Sequence, residues 1–429
     1  MPRIGMKVLA VLLSSLAATS VVAEHPVEAA QRHQQEANAA YVSGDYAGFT
    51  RSLERAYELN PASFATVYNL ACGYARTGRP DDALDLLEQL TAAKVDFGMA
   101  NDPDLASLRD NPRFQELVRT LAASIVPVNN STERLAINQL GLAPEGIAFD
   151  PDTGRLFFGS MRTGDIFVAD NTGYWSRFAS VGDSGSYSAI GMAVDADKGL
   201  LWTVATWFFM AEGFDAEAPI PSGLFGFDLA SGALRHRYFV DESVAGLNDV
   251  TVAPNGDVYV SGDVLHVLEA GSGALRPLAT SPAPFGSNGL TTDPSGRRLF
   301  VSSYPVGIGV IDLDSGDLQY LDAPPERPLY GIDGLYWHDG DLVGIQNGIQ
   351  PWRLLRMQLN EEITAVTNVQ VIEFANATLT PTTGAIDGER IHYIGQGPAP
   401  ERPPSQFPDS LAPYLGDTVI MTAPLGIPE

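Results

Sequence analysis

The chain has 429 residues, of which 45% are hydrophobic and 18% charged, so it is globular and long enough for two domains. Its formal net charge is −26, which argues against nucleic acid or an anionic membrane surface as a partner. The 42 glycines and 30 prolines favour many short strands joined by turns over long helices.

The N-terminus has the pattern of a secretory signal peptide, predicted at residues 1–23. Arg3 and Lys7 precede an apolar run, and the small residues that end at Ala23 fit a cleavage site. That run is too short to span a membrane, and no later stretch approaches the roughly 20 apolar residues that a span needs. Cys72 is the single cysteine, so no intramolecular disulfide can form. We therefore predict an exported protein, periplasmic or secreted, cleaved after Ala23.

Residues 24–124 are predicted to form a small all-α module. Gly44-Asp45-Tyr46 and Gly78-Arg79-Pro80 lie 34 residues apart, and a helix over residues 112–123 is expected to cap the two units. A helix–turn–helix period of this length resembles the tetratricopeptide repeat. Such modules bind a protein partner or dock onto a neighbouring domain, and the residues leave both roles open.

A linker is predicted at residues 125–132, and six similar segments follow within residues 133–429. Each segment opens with one residue followed by Gly or Asp, continues as an apolar strand, turns at a glycine and starts a second strand. The turn glycines are Gly154, Gly199, Gly256, Gly296, Gly340 and Gly388. The opening residues, which recur every 40 to 58 residues, are Glu145, Ile190, Asn248, Asn288, Asp333 and Thr383.

A repeat of this length with about four strands predicts a six-bladed β-propeller. The fold class is therefore mainly β, with the helical module in front of the propeller. The strand over residues 133–140 precedes the first hairpin, and we expect it to close the ring as the outer strand of the last blade. Its predicted neighbour is the apolar stretch "DTVIMTA" near the C-terminus.

The first strand of each propeller blade lines the central channel, so the six opening residues should form a ring at one mouth. Four of them, Glu145, Asn248, Asn288 and Asp333, offer carboxylate or amide oxygens, and no His or Cys joins them. Oxygen ligands suit a hard cation, so we expect Ca²⁺, with Zn²⁺, Mg²⁺ or Mn²⁺ left open. The alternative is that each side chain only caps its own loop.

The segments "PEG", "LND", "SNGL" before "DPSG", and "DGL" resemble motifs of the gluconolactonase and regucalcin family of six-bladed propellers, relatives of paraoxonases and diisopropyl fluorophosphatase. The resemblance implies that the four ring residues hold a catalytic divalent cation. It further implies that the protein hydrolyses a lactone or related ester and that Asp333 acts as base or nucleophile, with a purely ligating role left open. Gly246 stands where gluconolactonases often carry an Arg, and "YSAIGM" lacks a His of the paraoxonase type. These two departures leave the substrate class undecided between a sugar lactone and a more apolar lactone or ester.

The second strands return to the same mouth, and Arg162, Trp207 and Asn347 at their ends are the predicted substrate contacts. The long insertion "TWFFMAEGFDAEAPIPSG" is placed to cover the pocket. His338, beside a turn, is expected on the far side of its blade as an ordinary hydrogen-bonded surface histidine. Two other functions stay open: a non-catalytic propeller that binds a ligand or protein around a structural metal, and an enzyme similar to strictosidine synthase.

Overall fold

The computed structural model describes residues 26–139, 141–241, 246–324, 326–376, 379–396 and 418–426. The predicted signal peptide lies outside the described residues. Across these ranges, no helix is both long enough and apolar enough to cross a membrane.

The helical module is built from paired antiparallel helices. Gly44 and Gly78, with left-handed φ angles of 77° and 80°, break the chain at equivalent turns, which matches the predicted 34-residue period. The helices bury one continuous apolar core. They are α1 (Pro26–Ser43), α2 (Tyr46–Leu59), α3 (Phe64–Arg76), α4 (Pro80–Ala92), a 3₁₀ helix (Pro103–Leu108) and α5 (Pro112–Ser124).

The rest of the chain forms six antiparallel sheets, each running outward from an inner strand, as the hairpin repeats predict. The first three blades are β3 (Pro144–Asp150), β4 (Arg155–Ser160), β5 (Asp165–Ala169), β6 (Trp175–Ser180); β7 (Ser188–Asp195), β8 (Leu200–Thr206), β9 (Gly223–Asp228), β10 (Leu234–Phe239); and β11 (Leu247–Val252), β12 (Val258–Gly262), β13 (His266–Leu268), β14 (Arg276–Pro277). The fourth and fifth are β15 (Ser287–Thr292), β16 (Arg298–Ser303), β17 (Gly307–Asp312), β18 (Leu318–Tyr320); and β19 (Ile332–His338), β20 (Asp341–Gln346), β21 (Arg353–Leu359), β22 (Val366–Phe374). The sixth contains β23 (Thr380–Asp387), β24 (Arg390–Gln396), β25 (Thr418–Pro424) and β2 (Thr132–Ile137).

The ring is closed by hydrogen bonds between the two ends of the propeller sequence. Strand β2 pairs antiparallel with β25, which confirms the predicted closing strand. Each inner strand contacts the inner strand of the next blade, and β23 contacts β3. Within the predicted linker, β1 (Val128–Asn129) adds a fifth strand to the fifth blade by pairing with β22. All six predicted turn glycines have positive φ.

The helical module packs on the side of the propeller where the inner strands begin. The Asn60 amide donates to the carbonyl oxygen of Pro305 (2.9 Å), and the Phe64 amide donates to the hydroxyl of Tyr330 (3.1 Å). Arg353 donates to the carbonyl oxygens of Ala93 (2.7 Å) and Lys94 (3.0 Å) beyond the end of α4. These propeller residues lie in or beside the mouth loops of the fourth and fifth blades, so the module is a neighbour of the channel mouth.

Replacing Arg353 by Met should weaken this docking. Burial lowers the pKa of Arg353 to about 10, and its loss leaves two backbone carbonyls without their donor. An unsatisfied buried polar group costs about 1–3 kcal/mol, so we expect the free energy of unfolding in urea to fall by that amount. Arg235→Met, which removes an exposed ion pair with Asp228, should change it by less than about 1 kcal/mol. Equal effects of the two substitutions would contradict the docking role.

Candidate metal centre at the channel mouth

A register shift occurs at the start of every inner strand, where it pairs with the second strand of its own blade. The shifts lie between Glu145 and Ile147, Ala189 and Met192, Leu247 and Val250, Ser287 and Leu290, Ile332 and Leu335, and Pro381 and Gly384. A bulge bends the strand and re-aims the side chain of the extra residue. Six equivalent bulges therefore present one residue per blade at the mouth.

Four of the predicted opening residues are the first unpaired residue of their bulge, namely Ile190, Asn248, Asn288 and Asp333. Glu145 occupies the equivalent position of the first blade and still pairs with Gly159, and the sixth position is shifted by one residue. In the sixth blade the register places Thr382, rather than Thr383, at the position equivalent to Asn288 and Asp333. The Thr383 hydroxyl instead accepts a hydrogen bond from the amide of Gly146 (3.1 Å) and joins the sixth blade to the first. The sequence could not fix this register because two threonines stand side by side before Gly384.

Close backbone contact around the axis depends on small residues after the bulge. A Cβ at Gly289 would clash with the carbonyl oxygen of Asp333, and a Cβ at Gly146 would clash with that of Ile190.

In the third blade the residue that corresponds to Gly289 is Asp249, whose carboxylate accepts a hydrogen bond from the amide of Val250 (2.8 Å). Asp249 is buried, and the sequence does not single it out because nothing in the pattern after Asn248 indicates that a polar residue there is buried.

Asp333 is the best-supported side chain of the ring. The Asn347 amide donates to Asp333 Oδ2 (2.6 Å) and to the carbonyl oxygen of Pro381 (3.0 Å). The Tyr304 hydroxyl donates to Asn347 Oδ1 (2.9 Å), which fixes the orientation of that amide. Asn288 also hydrogen-bonds to the Asp333 side chain. Asp333 is thus held from two neighbouring side chains.

The ring concentrates negative charge on one buried carboxyl, Asp249, and two half-buried ones, Glu145 and Asp333. Burial raises the pKa of Glu145, and the neighbouring charges of Asp333 and Asp249 raise it further. Burial likewise raises the pKa of Asp333, against the hydrogen bonds from Asn347 and Asn288 that lower it. Burial raises the pKa of Asp249 to about 7. Because like charges in a low-dielectric site repel each other, this cluster must either bind protons or be neutralised by a cation.

Two further oxygens of the ring lie buried near its carboxylates. Asn288 Oδ1 is buried and has no hydrogen-bond partner among the described residues, and Thr382 Oγ1 is buried beside the carboxylate of Glu145, to which its hydroxyl hydrogen-bonds. Leaving a buried acceptor unpaired costs about 1–3 kcal/mol, so such oxygens are uncommon without an ion or water beside them. Together with the carboxylates of Glu145 and Asp333, they form an oxygen-only donor set that fits Ca²⁺. A narrow cavity of about 160 Å³, lined in part by Asp249 and Tyr336, continues inward along the axis.

The predicted substrate contacts have different surroundings. Arg162 donates to Glu212 of the insertion between β8 and β9 (2.6 Å), so this insertion is joined to the first blade. Trp207 packs against Phe214 within the same insertion, with ring centroids 4.7 Å apart and the ring planes tilted by 32°. Both donor hydrogens of Asn347 are already used by Asp333 and Pro381. Asn347 therefore orients Asp333, a role that only the spatial arrangement reveals.

Comparison with known proteins gives limited matches. No family model matches the chain. A tetratricopeptide repeat and J domain-containing co-chaperone of Cryptococcus neoformans var. grubii is 34% identical over 93 residues, which are 22% of this chain and 18% of that protein. The chain thus spans less than a fifth of the length of that curated relative.

The solved structures most like this one include gluconolactonase- and regucalcin-like propellers. A gluconolactonase of Xanthomonas campestris has 16% identity and a TM-score of 0.43, covering 66% of this chain and 86% of its own. The calcium-binding protein regucalcin of Agrobacterium tumefaciens has 16% identity and a TM-score of 0.45, covering 66% and 90%. Streptogramin B lyase has 14% identity and a TM-score of 0.46, covering 68% and 97%. One fold supports many reactions, so these similarities concern the fold and not the chemistry.

Replacing Asn288 by Ala should reduce Ca²⁺ affinity at least about tenfold, because it removes a ligand rather than a group that merely supports one. The variant also removes the hydrogen bond from the Asn288 side chain to Asp333, so the free energy of unfolding in chelator should fall by about 1 kcal/mol, as expected for one hydrogen bond. Isothermal titration calorimetry and thermal unfolding measure the two effects. Asn255→Ala, at an exposed turn far from the mouth, is the control and should leave Ca²⁺ binding unchanged. Unaltered affinity in Asn288→Ala would contradict the assignment.

Ca²⁺ binding should be pH-dependent because it competes with protons on the buried carboxyls. The raised pKa of Asp249, about 7, means that its contribution to metal-free stability is present below its ordinary pKa of 3.8 and is lost as pH rises through about 7. Ca²⁺ should reverse that loss, and its affinity should rise between about pH 5 and pH 8 with release of protons. Calorimetry in two buffers of different ionisation enthalpy counts those protons. Affinity that is flat across this range would contradict the buried-carboxyl account.

Proposed function

We propose that this protein is a Ca²⁺-dependent hydrolase that opens a lactone or cleaves a related ester at the mouth of its propeller. The observation that carries the proposal is the buried acidic ring, with Asn288 Oδ1 unpaired beside the positioned carboxylate of Asp333. Buried like charges with raised pKa values are unfavourable unless they serve a site, and perturbed carboxyls of this kind are enriched in catalytic clefts. The motifs around Glu145, Asn248, Asn288 and Asp333 support the same chemistry.

Glu145, Asn248, Asn288 and Asp333 would hold the cation, with Thr382 as an additional oxygen that sequence reasoning did not include. A bound divalent cation polarises a carbonyl oxygen and stabilises the negative charge that develops on it. The oxygen-only donor set favours Ca²⁺ over the softer metals, which prefer nitrogen or sulfur. Asp249, immediately after Asn248, contributes further negative charge to the same region.

Asp333 is proposed as the general base. Its carboxylate accepts a proton from a water, the water oxygen forms a bond to the carbonyl carbon, and the carbon–oxygen bond of the ester then breaks. The proton passes from Asp333 to the departing alkoxide, so the products are a carboxylic acid and an alcohol and the enzyme is unchanged.

Asn347 and Tyr304 are positioning residues in this scheme. Asn347 holds Asp333 Oδ2 at 2.6 Å, and Tyr304 holds Asn347 at 2.9 Å. These hydrogen bonds restrict Asp333 to one rotamer. A general base held in one position abstracts a proton from a correctly placed water faster than a mobile one. Pro305, beside Tyr304, accepts the hydrogen bond from Asn60 of the helical module. The module thereby supports the loop that carries Tyr304.

The surroundings of the mouth favour a neutral, fairly apolar substrate. Arg162, the cationic member of the three predicted contacts, is already paired with Glu212. The paired rings of Trp207 and Phe214 offer an apolar surface on the adjoining insertion. We propose that the insertion covers the bound substrate. The predicted signal peptide supports export to the periplasm or medium, and we propose that the helical module binds a protein partner.

The direct test is an activity screen of the purified protein on sugar lactones, alkyl lactones, aryl esters and phosphotriesters, with excess Ca²⁺ or with chelator. We expect turnover of a lactone or ester that is lost in chelator and restored by Ca²⁺. No turnover in any class with Ca²⁺ bound would contradict the proposal and would leave a ligand-binding propeller.

Substitutions in the supporting chain should act on the rate rather than on metal binding. Asn347→Leu should lower kcat about 10–100-fold, in the range for groups that orient a functional ligand. Tyr304→Phe should have a smaller effect in the same direction, and Ca²⁺ affinity measured by calorimetry should change less than kcat. Tyr320→Phe is the matched control, because the Tyr320 hydroxyl is buried without a hydrogen-bond partner in the described chain. A Tyr320→Phe effect as large as that of Tyr304→Phe would contradict the positioning role.

A further inference from the structure

A second group of potential metal ligands lies at the opposite end of the propeller. His338 ends β19, and Asp339 follows it in the turn of the fifth-blade hairpin. Glu389 lies in the corresponding turn of the sixth blade, between β23 and β24. These turns join the far ends of the first and second strands, so the group is separated from the mouth by the length of the inner strands.

The structure corrects the expected environment of His338. Its side chain is only 6% exposed, and its Nε2 atom is buried without a hydrogen-bond partner among the described residues. Asp339 Oδ2 and Glu389 Oε2 each lie 3.7 Å from that nitrogen, and the three atoms are within 4.8 Å of one another. A separation of 3.7 Å is too long for a hydrogen bond. His338 is therefore neither exposed nor satisfied, and its free nitrogen faces two carboxylates.

These distances fit ligands arranged around an ion. Donor atoms that bind Zn²⁺ at about 2.0–2.1 Å with tetrahedral angles lie roughly 3.4 Å apart, close to the separations observed here. Imidazole nitrogen combined with carboxylate oxygen is a common zinc donor set, and an open fourth position takes a water. Both carboxylates are largely exposed and border a surface depression of about 600 Å³, which gives an ion direct access.

We propose that His338, Asp339 and Glu389 form a binding site for a divalent transition-metal ion, with Zn²⁺ as the expected occupant. This site is independent of the proposed hydrolase function. Its nitrogen donor distinguishes it from the oxygen-only ring at the mouth, so the two sites should prefer different metals. Because its ligands come from neighbouring hairpin turns, a bound ion would cross-link the fifth blade to the sixth.

The cross-link would act where the propeller closes. The sixth blade contains the pairing of β2 with β25, which joins the two ends of the ring. An ion that binds only the folded arrangement stabilises it by mass action. We therefore expect Zn²⁺ to raise the melting temperature of the protein with Ca²⁺ already saturating.

The test uses Co²⁺ as a spectroscopic substitute for Zn²⁺. The full-length mature protein is stripped with chelator, saturated with Ca²⁺ and titrated with Co²⁺, while visible d–d absorption and calorimetry report binding. Glu389→Gln is the main variant, since Glu389 is 77% exposed and its loss does not threaten folding. His338→Gln is the second variant, and Glu362→Gln and His236→Gln are matched controls at other positions. Asn288→Ala, which alters the proposed site at the channel mouth, is included to show whether Co²⁺ binds there instead.

Wild type and both controls should bind one equivalent of Co²⁺ with d–d bands that excess Zn²⁺ abolishes. Glu389→Gln and His338→Gln should weaken binding at least about tenfold, and Zn²⁺ should no longer raise their melting temperature. Asn288→Ala should keep the Co²⁺ signal. Co²⁺ binding that is absent in wild type, or is equal in wild type and Glu389→Gln, would overturn the proposal. A signal lost in Asn288→Ala would also overturn it, by placing the Co²⁺ at the mouth.

Discussion

The burial of several carboxyl groups around one axis is the constraint on which the channel mouth depends. Glu145, Asp249 and Asp333 are close enough that the charge of Asp333 raises the pKa values of the other two. Removing ionised groups from water costs several kcal/mol each unless an opposite charge compensates. The pairing that would normally provide compensation, with Arg or Lys, is not found at this ring among the described residues. The divalent cation that we propose here would offset most of that charge and would ligate the unpaired oxygen of Asn288.

The fold creates this arrangement by repeating one irregularity. Each inner strand has a bulge at its entry, and the bulge turns one side chain per blade toward the axis. Gly289 and Gly146 then allow the inner strands to approach each other closely. The supporting contacts extend outward from Asp333 through Asn347 and Tyr304. The helical module packs against the loops of the same two blades, so it is part of the scaffold of the mouth.

Much of the fold follows from the sequence because its cues are local and repeated. A glycine at each hairpin turn and an apolar strand on either side are visible in six segments, and the closing strand could be predicted because residues 133–140 had no other sheet to join. The 34-residue spacing of Gly44 and Gly78 likewise marks the helical turns. These features depend on neighbouring residues, so they can be seen without knowing the three-dimensional contacts.

The finer features of the site depend on contacts between distant residues. The position of Thr382 at the sixth bulge follows from the strand register, which two adjacent threonines leave ambiguous. Asp249 adds charge to the ring because it is buried. The sequence alone does not show whether a polar residue in a partly polar strand is buried. Asn347 was predicted to meet the substrate, and only the hydrogen bonds to Asp333 and Tyr304 reveal its supporting role. His338 was expected to be hydrogen-bonded, and its unpaired nitrogen arises from packing between two blades.

The central claim is that the channel mouth binds a hard cation through its ring of oxygens. Crystals soaked with a lanthanide ion, a Ca²⁺ substitute with strong anomalous scattering, test this most directly. The account predicts one dominant anomalous peak on the propeller axis, contacted by Glu145, Asn288 and Asp333, and its loss in crystals soaked with excess Ca²⁺. A map without a peak at the mouth, or with a peak that leaves Asn288 Oδ1 uncontacted, would contradict it.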